Sequence, residues 1–178
     1  MLASGTLTTV VILQLILGFA ALILAAFSAV CFGAEFGYGV VWWSFGWTLV
    51  IACLRWWTHD LGRSAVEQIV HLAFETFALI DWVVATGVLV ALNVRLDNLR
   101  KEYEFDVDHD IPLPDELVTH QFTALGMGGL YCSYALNAVT GVIFVLFLIS
   151  THDSLRWLRM SRRAAKDDLE KEYKYGHL

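Results

Sequence analysis

The chain has 178 residues, of which 57% are hydrophobic and only 17% charged, with a formal net charge of −6 and a mean hydropathy of +0.58. A soluble domain of this size carries about 25% charged residues, and here the charges are clustered, leaving long apolar runs between them. That excludes an ordinary water-soluble globule and a disordered chain, and it leaves little length for a soluble catalytic domain.

An apolar run of about 18 residues is long enough to cross a bilayer, and four such runs are read as transmembrane helices. The first, about Thr9 to Phe32, holds no charge, and its one strongly polar side chain is Gln14. It lacks the basic flank of a signal peptide and its apolar stretch is too long, so an uncleaved span is expected. The second, about Tyr38 to Trp57, carries a single charge, Arg55, near its end. The third runs from about Gln68 to Asn93 and opens on Ser64-Ala65-Val66-Glu67, the spacing of a helix-starting capping box. The fourth, about Gln121 to Ser150, is uncharged. Barrel strands are about ten residues long and alternate in polarity, so the expected fold is all-α: a polytopic four-transmembrane-helix bundle. Gly33 to Gly37 and Thr58 to Glu67 read as short links, and Val94 to His120, which holds Pro112 and Pro114, reads as a long loop. Residues 1–150 form the expected membrane domain and 151–178 a basic, amphipathic tail.

The basic residues set an expected orientation. Arg156, Arg159, Arg162, Arg163, Lys166, Lys171 and Lys174 lie in the tail, Arg55 and Arg63 about the second link, and only Arg95, Arg100 and Lys101 in the long loop. Basic residues collect on the cytoplasmic side, so both termini are expected there, with the acidic loop outside or in a lumen.

Charges within a bilayer are costly and are the first functional candidates. Arg55, His71 and Glu75 are expected to meet if spans two and three form a hairpin, His71 and Glu75 sharing a face at four-residue spacing. Asp81 lies near mid-membrane, where it has three readings: a hydrogen bond to Asn137 of the fourth span, a contact with a partner subunit, or a place in a proton or ion pathway. Gly129, Ser133, Asn137 and Gly141 repeat every four residues, as do Ala21, Ala25 and Ala29. Such stripes let helices approach closely in lipid, either within the bundle or against another membrane protein. Trp42, Trp43, Trp47, Trp56 and Trp57 bracket the second span as interfacial belts do. Trp157 with Leu155 and Leu158 suits an amphipathic segment at the membrane surface, and Arg156, Arg159, Arg162 and Arg163 suit anionic lipid head groups or a simple stop-transfer cluster.

Other chemistries find no support. Cys31, Cys53 and Cys132 all fall in or beside spans, so no loop disulfide or CxxC motif exists. Asp106, Asp108 and Asp110 open like an EF-hand, but Ile111 stands where Gly is needed and Leu117 where Glu is needed. His71 and His120 belong to opposite membrane faces and cannot clamp one haem. No catalytic triad or phosphate loop appears. No cofactor, metal, nucleic-acid partner or enzymatic activity is expected.

The third span, Phe74-Glu75-Thr76-Phe77-Ala78-Leu79-Ile80-Asp81-Trp82 followed by Ala85 and Gly87, and the fourth, opening Gln121-Phe122-Thr123-Ala124-Leu125-Gly126 and passing through Leu130-Tyr131-Cys132, resemble MARVEL-domain tetraspan proteins, especially the small fungal plasma-membrane members. The resemblance covers roughly residues 10 to 150. It implies a non-enzymatic role in membrane organisation, in sterol-rich domains, vesicle trafficking and membrane apposition, so a plasma-membrane scaffold that self-associates is expected. Two other readings stand beside it: an accessory subunit docked on a larger membrane enzyme or channel, and a small proton or ion transporter using Glu75 and Asp81.

Overall fold

The computed structural model describes residues 4–32, 38–57, 65–109 and 124–175. Among these the chain is helical: α1 (Ser4–Phe32), α2 (Gly39–Trp57), α3 (Ala65–Asp108) and α4 (Ala124–Tyr175). The glycine-rich first link, Ser64 of the capping box, Asp110, both prolines, His120 and Gln121 lie outside the described residues.

Three of the helices are long and apolar enough to cross a membrane, over Thr8–Phe32, Ile69–Phe105 and Gly126–Asp167; α2 is not among them. A helix satisfies every backbone donor and acceptor within the segment, which is the requirement lipid imposes. The outward faces are correspondingly apolar. Ile12, Ile16, Phe19, Ile23, Phe27 and Val30 stand exposed along α1, and Phe77, Ile80, Val84 and Val88 along α3.

The four helices form a ring, α1 against α2, α2 against α3, α3 against α4 and α4 against α1. Their inward faces follow one rule. In α3 the buried residues are His71, Glu75, Ala78, Trp82, Ala85, Leu89, Leu92 and Leu96, and in α4 Gly129, Ser133, Leu136, Thr140, Ile143, Phe147 and Ser150. Both sets alternate steps of three and four. Gln14, Gly18, Ala21, Ala25, Ser28 and Phe32 do the same in α1. This is the seven-residue repeat that holds a seam against its neighbours.

The repeat corrects the four-residue stripes. A step of four advances about 400° around a helix, so each step drifts about 40° from the seam. Gly129 and Ser133 are buried, Asn137 is half-buried, and an added Cβ at Gly141 would meet open space. Likewise Ala21 and Ala25 are buried, whereas Ala29 is only partly so, and Ser28 takes the seam position.

One boundary also differs from expectation. The polar stretch after Asn93 is not loop but helix through Asp108. Asp97 pairs with Arg100 at 3.3 Å and Lys101 at 2.8 Å, and Arg100 with Glu104 at 3.6 Å; these are the three- and four-residue spacings that stabilise a helix surface. The tail joins the fourth span as one helix through Tyr175. At 1.5 Å per residue α3 is about 66 Å long and α4 about 78 Å, so both outrun a hydrocarbon core of about 30 Å. Because the two run antiparallel, they project at opposite ends of the bundle.

Candidate functional site

The polar side chains within the bundle gather at two levels. At the first, Arg55 comes from the last turn of α2, Glu75 from the seam of α3, and Ser150 and Ser154 from α4. Arg55 Nη2 donates to Glu75 Oε1 and to Ser150 Oγ, and Ser154 Oγ donates to Glu75 Oε2 at 2.7 Å. The side chains of Arg55 and Glu75 are 9% and 2% exposed. The cluster therefore ties three helices through one buried ion pair, and two hydroxyls supply further bonds, which a buried pair needs to offset its desolvation. Arg55 and Glu75 meet as the hairpin geometry predicts. His71 is buried one turn before Glu75 on the same face. Arg55 Nη1 and Thr151 Oγ1 are buried without a hydrogen-bond partner among the described residues.

At the second level the groups are neutral. Tyr38, just ahead of α2, donates to Ser133 Oγ at 3.3 Å. Ser133 donates to Asn93 Oδ1 at 2.5 Å, and Asn93 Nδ2 returns a bond to the Ser133 carbonyl at 3.3 Å. Ser28 of α1 donates to the Gly129 carbonyl at 3.2 Å. Here the backbones of α1 and α4 are so close that a Cβ on Gly129 would lie 2.5 Å from Cys31 Cβ.

Between the two levels one side-chain bond joins two helices, Trp82 Nε1 donating to Thr48 Oγ1 at 3.1 Å, while the buried hydroxyls of Ser44, Thr48 and Thr140 donate to carbonyls of their own helices. Trp82 is fully buried. Trp47 is not a belt residue: it is half-buried and packs on Phe74 and Phe77 of α3, with ring centroids 6.0 and 4.8 Å apart. Trp42, Trp43 and Trp56 do stand exposed at the two ends of α2. Sequence reasoning missed Tyr38, Thr48, Asn93, Ser150 and Ser154 as bonded partners; the one available signal was the four-residue spacing of Ser150 and Ser154 on the seam.

Asp81 and Asn137 do not pair. The bonds Glu75–Ser154 and Asn93–Ser133 fix the register of α3 on α4. That register sets Asp81 level with a point about ten residues beyond Asn137 on α4, roughly 15 Å along the axis. Asp81 Oδ2 and Asn137 Oδ1 are both buried without a partner among the described residues, as is Gln14 Nε2.

On the projecting part of α4, Arg156, Arg159, Arg162 and Arg163 are all exposed. Two of them, Arg156 and Arg159, border an open surface depression of about 340 Å³ together with His152 and Leu155.

Comparison with protein-family models, curated proteins and solved structures finds no match, and nothing in it identifies a MARVEL domain.

Proposed function

We propose that the protein is a non-enzymatic four-span organiser of a membrane domain, most fitting the plasma membrane, with both termini cytoplasmic and a MARVEL-like arrangement of its spans. The reading rests chiefly on how the side chains are spent. The charged pair and the Tyr38, Asn93 and Ser133 side chains inside the bundle join helix to helix, other buried hydroxyls cap carbonyls of their own helices, and the apolar groups on its outside face lipid. Such a molecule acts through its surfaces. Two features support α2 as the fourth crossing. Tyr38, just ahead of it, is level with Ser133, and Arg55 in its last turn is level with Glu75 and Ser150, so it runs the same depth as its neighbours. Exposed tryptophans mark both of its ends, where interfacial belts sit. The excess of Lys and Arg on the α4 projection supports the orientation.

The test is purification of the tagged protein in mild detergent from its native membrane, with identification of what accompanies it by mass spectrometry. Self-oligomers with sterol-rich and anionic lipid are expected. One large complex at fixed ratio would overturn the free organiser and establish the second reading, an accessory subunit. That reading has its own observation: Asp81 is only partly buried and its Oδ2 has no hydrogen-bond partner among the described residues, so a partner helix packed there would supply one once the carboxylate turns outward. Under it, Asp81→Asn releases the complex while leaving the bundle folded.

A further inference from the structure

Ser150 and Ser154 define the inner side of α4, bonded to Arg55 and Glu75. Half a turn away, at about 100° per residue, lies its outer side. There Val142, Val145, Leu148 and Ile149 are exposed. Continuing along that same side, the next residues are His152, Leu155, Arg156 and Arg159, all exposed, which border an open surface depression of about 340 Å³. An exposed apolar track thus runs without a break into a basic hollow.

The depth of the change is also informative. From exposed Tyr131, an interfacial residue type, to His152 is about 32 Å along the helix, close to the roughly 30 Å of a hydrocarbon core. His152, Arg156 and Arg159 therefore fall where lipid phosphates lie. Arg162 and Arg163 follow one turn further out. Among the described residues, no carboxylate borders the depression.

We infer that this hollow is a binding site for the phosphate of an anionic phospholipid, its acyl chains lying along Val145, Leu148 and Ile149. Arg156 and Arg159, a turn apart on one side, supply forked donors that match phosphate oxygens. His152 adds a ring nitrogen, and Leu155 covers the glycerol end. The inference rests on the membrane-crossing reading above. It divides the four arginines: Arg156 and Arg159 hold the lipid, and Arg162 and Arg163 stand clear of it.

The test uses the full chain in phosphatidylcholine nanodiscs containing phosphatidylserine, with retained lipid counted by native mass spectrometry and self-association counted by subunit photobleaching. Arg156→Gln with Arg159→Gln is expected to weaken phosphatidylserine retention roughly 30-fold, the effect of two cations at an anionic surface. Arg162→Gln with Arg163→Gln is expected to change it less than about threefold. Both pairs are exposed, so neither substitution disturbs the core. Equal losses from the two pairs would overturn the site in favour of a diffuse basic tail, and so would no loss from the first pair. Displacement by excess inorganic phosphate would overturn the lipid assignment; its failure to displace supports it. Lipid retention lost with self-association intact is the expected signature of the first pair. Self-association absent from the unaltered protein would sink the organiser reading and leave the lipid site standing.

Discussion

At one end of the bundle Arg55 and Glu75 carry full charges, and at the other Tyr38, Asn93 and Ser133 carry none. Both levels join at least three segments of chain, yet they differ in what they can lose. A buried ion pair is balanced only while both members are present, because removing one leaves the other charged and unsolvated. A neutral hydrogen bond between helices in lipid contributes little, averaging about 0.6 kcal/mol. The neutral end is held instead by close approach: Gly129 lets α4 lie directly on Cys31 and Phe32 of α1. One end is secured by charge and the other by shape.

The strongest way to break this contrast is at the charged end. Arg55→Met should lower unfolding free energy by about 3–5 kcal/mol, whereas Arg55→Met with Glu75→Leu should return to within about 1 kcal/mol of the unaltered protein. Denaturant titration in detergent, followed by tryptophan fluorescence, checks both. If the double variant is as weak as the single one, the pair is more than a balanced clasp. At the neutral end Gly129→Ala should cost about 1–3 kcal/mol, since the new methyl must displace Cys31 Cβ rather than a flexible side-chain tip. Ser133→Ala should cost about 0.6–1.7 kcal/mol by the same titration; a larger loss than from Gly129→Ala would mean that polarity, not shape, secures this end. The smallest effect belongs to Gly141→Ala, where the added Cβ meets open space and the titration midpoint should stay unchanged.

Much of the architecture was legible in composition. Apolar runs too long for strands gave the helices, and the meeting of Arg55 with Glu75 followed from two opposed spans joined by a short link. The seams were legible too, but only to a reading in alternating steps of three and four. The glycines and alanines drew attention to steps of four, which wind off the interface, so Asn137 and Gly141 were grouped with residues they do not accompany. The end of α3 was misjudged because charge density suggests loop, although Asp97–Lys101 and Arg100–Glu104 carry helical spacing in plain view. Tyr38 is not legible as a partner, and Ser150 and Ser154 are so only through their four-residue spacing, which does not say what they bond. A lone hydroxyl has no pattern of its own, and its bond depends on the register between helices, which no single segment encodes. Trp47 was misassigned for a similar reason: tryptophan serves both interfaces and cores, and only the neighbouring Phe74 and Phe77 decide between them.

The bond from Ser154 to Glu75 has a mechanical consequence. It bonds α4 to the bundle near the bundle's end, and the helix continues from there to Tyr175, an arm of about 32 Å. Ser154 is thus a fulcrum. A tilt of α4 by about 10° at that point would sweep the far end of the arm through about 5 Å, so a small rearrangement among Arg55, Glu75 and Ser154 at the end of the bundle becomes a displacement of molecular size far from it.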